Sequence, residues 1–247
     1  MSAAASLATS ATEDIGERIQ SFDWDRVERD LDAAGNAVLD RLLSPDECRE
    51  LAGLYNREDL FRTRVVMARH GFGRGEYQYF RYPLPDVIDG LRTALYPRLA
   101  PIANLWNEAL RAGVRYPAAH PEFIARCHAA GQRKPTPLLL QYQTGDYNCL
   151  HQDVYGEHVF PLQVAVLLSE PGRDFTGGEF VMTEQRPRMQ SRAEVVLLGQ
   201  GDAVVFTVRE RPVQGTRGIY RVNLRHGVSR IRSGLRHTMG IIFHDAA

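Results

Sequence analysis

From Pro137 onward the chain alternates short apolar runs with turn-forming residues, a texture that leaves few ways to fold. The runs are Leu138–Tyr142, Val159–Leu168, Glu179–Thr183, Glu194–Leu198, Ala203–Thr207, Tyr220–Leu224 and Thr238–Phe243. Between them lie Thr144-Gly145-Asp146, Pro171-Gly172, Gly177-Gly178, Gly199-Gln200-Gly201-Asp202 and Ser233-Gly234. Glycine tolerates the left-handed backbone of tight turns, proline presets φ, and Asp or Ser side chains bond their own backbone. Runs of this length with turns at this spacing predict antiparallel sheets packed as a sandwich or jelly roll.

Upstream the period lengthens to that of helices. Ser44-Pro45-Asp46-Glu47 carries a capping hydroxyl, proline at the first helical position, and Glu three residues after the cap. A helix reaching Tyr55 should follow, with Leu51 and Leu54 turned inward. Asp86–Leu95 places Val87, Ile88, Leu91 and Leu95 on one face; Pro97 and Pro101 should break it before Ile102–Leu110 resumes. His70–Pro85, "HGFGRGEYQYFRYPLP", has no clear period and reads as a loop or edge hairpin. The expectation is a β-rich α+β fold: a loose tail over residues 1–20, a helical part over 21–136 packed outside, and a jelly-roll (double-stranded β-helix) core over 137–247, all one domain.

At 247 residues, 44% hydrophobic and 24% charged, the chain has the composition of a soluble globular protein. No apolar run approaches the ~18 residues of a membrane span, and residues 1–12 lack the basic and apolar blocks of a signal peptide. Cys48, Cys127 and Cys149 are scattered and odd in number, which suits reduced thiols and a cytoplasmic location. The formal net charge of zero decides nothing about nucleic acid, but its distribution is uneven. Between Thr207 and Gly240 stand eight arginines and one acid, Glu210, which is either a solvated face or a basic wall for an anionic ligand.

His151 and Asp153 stand two apart, so on an extended segment both side chains leave the same face. Such a pair gains meaning if a distant histidine completes it, and His226 ends one strand shortly before another begins. Two imidazoles and one carboxylate on one face of an octahedron bind Fe(II) and leave open positions. His158, Cys149 and Glu179 are weaker candidates with plain structural alternatives; His237 should face away from Arg236, and His244 looks incidental.

Together these residues resemble the Fe(II)- and 2-oxoglutarate-dependent dioxygenases, whose pattern is His-x-Asp, a later His, and a cation some ten positions beyond. Here these are His151-Gln152-Asp153, His226 and Arg236. "YQTG" from Tyr142, "FTGGEF" from Phe175 and "GDAVVF" from Gly201 occur in the family's order, and Ala37–Cys48 resembles a strand-then-helix start common in the superfamily. The resemblance implies Fe(II) held by His151, Asp153 and His226, with 2-oxoglutarate and O2 as co-substrates. It also implies Arg236 and Tyr142 on the far carboxylate of 2-oxoglutarate, and His226 and Arg236 on neighbouring strands.

Within that superfamily, "RKPTPLLLQY", "NCLHQDVYG" and "RHGVSRIRSG" resemble a prokaryotic group placed near the AlkB-type enzymes and proposed to act on damaged nucleic acid. The implied reaction is oxidative dealkylation of a base. Arg186 and Arg188 in a loop would meet phosphates, Tyr79 and Arg81 in Tyr77–Tyr82 would form a stacking lid, and His158 would line the mouth. Two departures exist: Leu140 stands where AlkB-type enzymes usually have Asn, and Ile242 where they have a second arginine. The ten-residue spacing is closer to prolyl hydroxylases, so a protein or peptide hydroxylase is the second reading. A non-catalytic jelly-roll binding protein is the third, and an intact triad argues against it.

Overall fold

A computed structural model of the chain describes residues 15–154 and 156–247. Its strands are β1 (Asn36–Leu39), β2 (Phe61–Val66), β3 (Gly73–Arg74), β4 (Glu76–Phe80), β5 (Leu138–Gln143), β6 (Tyr147–His151) and β7 (Leu162–Leu167). They continue as β8 (Phe175–Gly177), β9 (Phe180–Gln185), β10 (Arg192–Val196), β11 (Ala203–Thr207), β12 (Glu210–Gly215), β13 (Gly218–Val228) and β14 (Ile231–Ile241). The longer helices are α1 (Trp24–Ala34), α2 (Pro45–Gly53), α3 (Asp86–Ala109) and α4 (His120–Ala129).

The strands form two antiparallel sheets. The larger runs β1-β11-β7-β14-β5-β4-β2 with β8 against β14, and the smaller runs β10-β9-β13-β6-β3 with β12 against β13. Core clusters lie on both faces of the larger sheet. On one face Val164, Val166, Met239 and Ile241 pack with Ile88, Leu91 and Leu95 of α3. On the other, Ala165, Val204 and Phe206 meet Phe180, Met182 and Leu224 of the smaller sheet. This two-sided burial explains why β7, buried at every position, is apolar except for Gln163. Each Val, Leu, Ile, Phe or Met buried in this way contributes about 1.5–3 kcal/mol.

The β-rich α+β architecture and its jelly-roll core match the expectation, and Ser44 and Glu47 form the expected capping box at α2. The first half differs in three ways. Besides the strand expected at Ala37, where β1 joins β11, it supplies further strands to both sheets: β4 joins β5 and β3 joins β6, so His70–Pro85 is divided between the sheets and is not one edge hairpin. Prolines 97 and 101 do not break α3, which runs 24 residues through both. Both prolines face solvent, where water can satisfy the carbonyls they leave free, while Leu91, Leu95, Leu99 and Trp106 remain buried on the core side. Of the expected tail, residues 1–14 lie outside the described residues, and Ile15 and Ile19 of the helical turns at 15–20 are buried.

The C-terminal residues are locked to the helices by a buried ionic cluster. Arg92 of α3 pairs with Asp245 at 2.7 Å, and the same carboxylate takes bonds from Tyr82 at 2.9 Å and His128 at 2.8 Å. Burial works against the Asp245 carboxylate, but Arg92 and its other donors hold its pKa below the ordinary value. Among the described residues no helix is long and apolar enough to cross a membrane.

Candidate active site

Strand pairing brings the distant histidines together. In the β6–β13 ladder His151 lies directly opposite His226, so both imidazoles project from the same face into the space between the sheets. Their ring centroids are 4.2 Å apart. Asp153, two residues beyond His151, reaches both: its oxygens lie 3.4 Å from His151 Nε2 and 3.5 Å from His226 Nε2. The next residue, Gly227, lets the strands approach, because a Cβ there would stand 2.6 Å from the Asn148 carbonyl. The ladder shifts register at this point.

The donors fit a divalent ion. One ligand atom from each of the three residues lies within 4.8 Å of the others. Two donors at right angles, each about 2.1 Å from an octahedral ion, stand about 3 Å apart, close to the spacing found here. His151 Nδ1–H donates to the Cys149 carbonyl at 2.8 Å, which directs its Nε2 toward Asp153 and His226, where a metal ion would replace the proton. Burial raises the cost of ionising Asp153, yet hydrogen bonds from the two histidines win and hold its pKa below the ordinary carboxylate value. Burial also disfavours a protonated His226, whose pKa falls; at His151 the Asp153 contact outweighs burial and the pKa rises. The carboxylate is thus ionised and His226 leans to the neutral form, as metal ligands must be, whereas His151 would have to give up its second proton to the ion.

A second polar pair lies on the facing sheet. Arg236 of β14 is opposite Tyr142 of β5, and both side chains are buried. Arg236 Nη1 donates to the Thr238 hydroxyl, but Arg236 Nε and the Tyr142 hydroxyl are buried without hydrogen-bond partners. Burial pushes the arginine pKa down to about 10 and the tyrosine up to about 12. A buried guanidinium with unused donors costs several kcal/mol unless an anion meets it. Gly178 of the "GGEF" motif makes room for it: a Cβ there would stand 3.0 Å from Arg236 Cδ.

The triad and this pair line one cavity of about 410 Å³, whose other walls include Asn148, Gln163, Thr238, Tyr77 and Tyr79. Its mostly apolar interior, with a cation and a phenol beside the three donors, can take a small dicarboxylate end to end. Asn148, Gln163 and Thr238 carried no sequence signal, since they become neighbours only through pairing between strands distant in the chain.

The remaining expected residues divide. Tyr79 lines the cavity with the Arg62 guanidinium 4.6 Å above its ring. Arg81 is exposed and not part of the wall. His158 is held outside it, its backbone bonded to Gln132. Arg186 is committed to Glu184 at 2.7 Å, and Arg188 is exposed on the loop between β9 and β10. His226 and Arg236 lie on consecutive strands joined by a turn, as expected, but the strands do not pair: β13 belongs to the smaller sheet and β14 to the larger, so the two residues face each other across the sandwich. Cys149 is exposed, Glu179 accepts from the Ser229 hydroxyl, and His237 bonds Gln141 away from the site, as expected for a packing residue. His244 is not incidental: it is fully buried and accepts from the Phe160 amide at 3.2 Å.

A jelly roll with two histidines and a carboxylate opening onto a cavity with a buried arginine opposite is the arrangement an Fe(II)- and 2-oxoglutarate-dependent oxygenase would need. Residues 75–246 match the model of an oxygenase family described as catalysing oxidative methylation of damaged DNA, and the chain belongs to that family. An uncharacterised protein found in two strains of Mycobacterium tuberculosis is 54% identical over 168 residues, 68% of this chain and 72% of that protein. The fold is similar to that of SnoN, a non-heme α-ketoglutarate-dependent epimerase of nogalamycin biosynthesis, with TM-score 0.54 and 16% identity over 89% of this chain and 81% of that one. It is also similar to a prolyl hydroxylase from Trichoplax adhaerens, with TM-score 0.52 and 12% identity over 92% and 90% of the two chains. The protein is an oxygenase, and His151, Asp153 and His226 form a site that can hold one metal ion.

Proposed function

We propose that this enzyme oxidises an alkyl group attached to a base nitrogen of damaged nucleic acid, removing the group and restoring the base. His151, Asp153 and His226 hold Fe(II), and Arg236 with the Tyr142 hydroxyl binds the far carboxylate of 2-oxoglutarate. Bound there, the iron and its co-substrates supply the oxidation of an unactivated C–H bond to an alcohol. On a carbon bonded to a base nitrogen that alcohol is a hemiaminal. Its C–N bond breaks, the hydroxyl proton leaves, the base nitrogen takes up a proton, and an aldehyde departs.

The observation that carries the substrate assignment is the family match over residues 75–246. The Tyr77 and Tyr79 wall beside the triad supports it, because aromatic faces stack on a flat base. Arg225, Arg230 and Arg232 are exposed and would meet phosphates; Arg186 contributes less, being tied to Glu184. The ten-residue interval from His226 to Arg236 favours a second reading, hydroxylation of a peptide.

One experiment separates them. With Fe(II), 2-oxoglutarate and O2, alkylated oligonucleotides should lose alkyl groups in step with succinate formation. Turnover with peptides alone would overturn the nucleic-acid reading.

A further inference from the structure

The structure assigns Gln132 a role in holding the metal carboxylate in place, an inference that rests on Asp153 being a ligand. Asp153 lies beyond the end of β6, outside the ladder that fixes His151, at the start of an irregular connection to β7. Its position therefore depends on what tethers that connection on either side.

Upstream, Gln152 Nε2 donates to the Leu224 carbonyl at 2.7 Å, pinning the chain to β13. Downstream, the anchor is the Gln132 side chain, 1% exposed, three residues past the end of α4. Its Oε1 accepts from the Glu157 amide at 3.1 Å and the His158 amide at 2.8 Å. Its Nε2 donates to the His158 carbonyl at 3.1 Å and to the Asp245 carbonyl at 2.6 Å. A primary amide has two acceptor sites and two protons, and all four are used on backbone. The helical half adds the Tyr116 hydroxyl, which donates to the Val159 carbonyl at 2.7 Å.

The same amide thus joins the segment after Asp153 to the C-terminal segment that supplies Ala246 to the cavity wall. The helices packed outside the sheets hold one ligand of the metal through this clamp. Gln132 touches neither metal nor substrate; it is a positioning residue acting through the backbone, and the loss of a ligand's direct hydrogen-bond partner, about 10–100-fold in metal affinity, sets the scale of its effect.

The test is Mn(II) titration of the full folded chain, well below its unfolding temperature and without co-substrate. Gln132→Ala should bind Mn(II) about 10–100-fold more weakly than the parent. Gln132→Glu keeps the two accepting bonds and loses the two donating ones, so it should fall between; it carries the test if the alanine variant does not fold. At saturating metal the KM for 2-oxoglutarate should stay within about twofold of the parent, because the Arg236 end is untouched. Mn(II) affinities within about twofold of the parent in both Gln132 variants would overturn the inference while leaving the ligand assignment standing. Unchanged affinity in Asp153→Ala would overturn both.

Discussion

Asp153 is the one carboxylate between two imidazoles, and at the scale of the residue it decides whether an ion stays. Asp153→Ala should abolish Mn(II) and Fe(II) binding in a metal titration; retained affinity would place the metal elsewhere. Arg236 acts at the other end of the cavity. Truncating one partner of a buried charge pair costs about 2–5 kcal/mol, so Arg236→Ala should raise the 2-oxoglutarate KM by about 30-fold or more in steady-state assays. Arg236→Lys keeps the charge without the planar fork and should lose less. Tyr79→Ala should raise the KM for an alkylated oligonucleotide by about 5-fold or more, the cost of about 1 kcal/mol or more of lost stacking, with the 2-oxoglutarate KM unchanged. An unaltered oligonucleotide KM would remove Tyr79 from the substrate wall.

At the scale of the element, the site depends on which strands pair. The His151–Asp153 pair is legible in the sequence from its two-residue spacing, while His226 and Arg236 take their place through the resemblance to the dioxygenases. Their placement on opposite sheets is not legible: the Ser229-Arg230 turn joins β13 to β14, yet each strand pairs only within its own sheet. The choice of partner is a long-range matter that local patterns do not encode. β6, which carries His151, is a polar strand without alternating burial, and β12 contains Pro212, so neither shows an apolar run. β2 carries Arg62 and Arg64 and hides for the same reason. Proline signals in α3 misled because they describe the isolated helix, whereas the buried stripe of Leu91, Leu95 and Leu99 is what keeps it continuous. The β6–β13 approach at Gly227 gives a direct check. Gly227→Ala places a methyl against the Asn148 carbonyl, so it should separate the histidines and weaken Mn(II) binding at least about 10-fold, measured on folded protein.

For the whole molecule, the helices and the C-terminal segment form one support behind the larger sheet, and buried histidines make that support sensitive to acid. Burial pushes the pKa of His120 and of His244 down to about 4. In the unfolded chain both titrate near 6.5, so between these values the unfolded state binds more protons and stability falls as pH falls. Their contribution is full above about pH 6.5 and is lost progressively toward about pH 4. Denaturant midpoints should therefore drop from about pH 7 to about pH 5, and the drop should be shallower in His120→Gln, whose amide can still donate to the Phe243 carbonyl. Equal slopes in parent and variant would contradict this. The central claim, that one ion and one dicarboxylate fill the cavity between the sheets, is tested most directly by a crystal structure with Mn(II) and 2-oxoglutarate. The account predicts the metal about 2 Å from His151 Nε2, His226 Nε2 and an Asp153 oxygen, with the far carboxylate on Arg236 and Tyr142. Metal density away from these three residues, or a co-substrate turned away from Arg236, would contradict it.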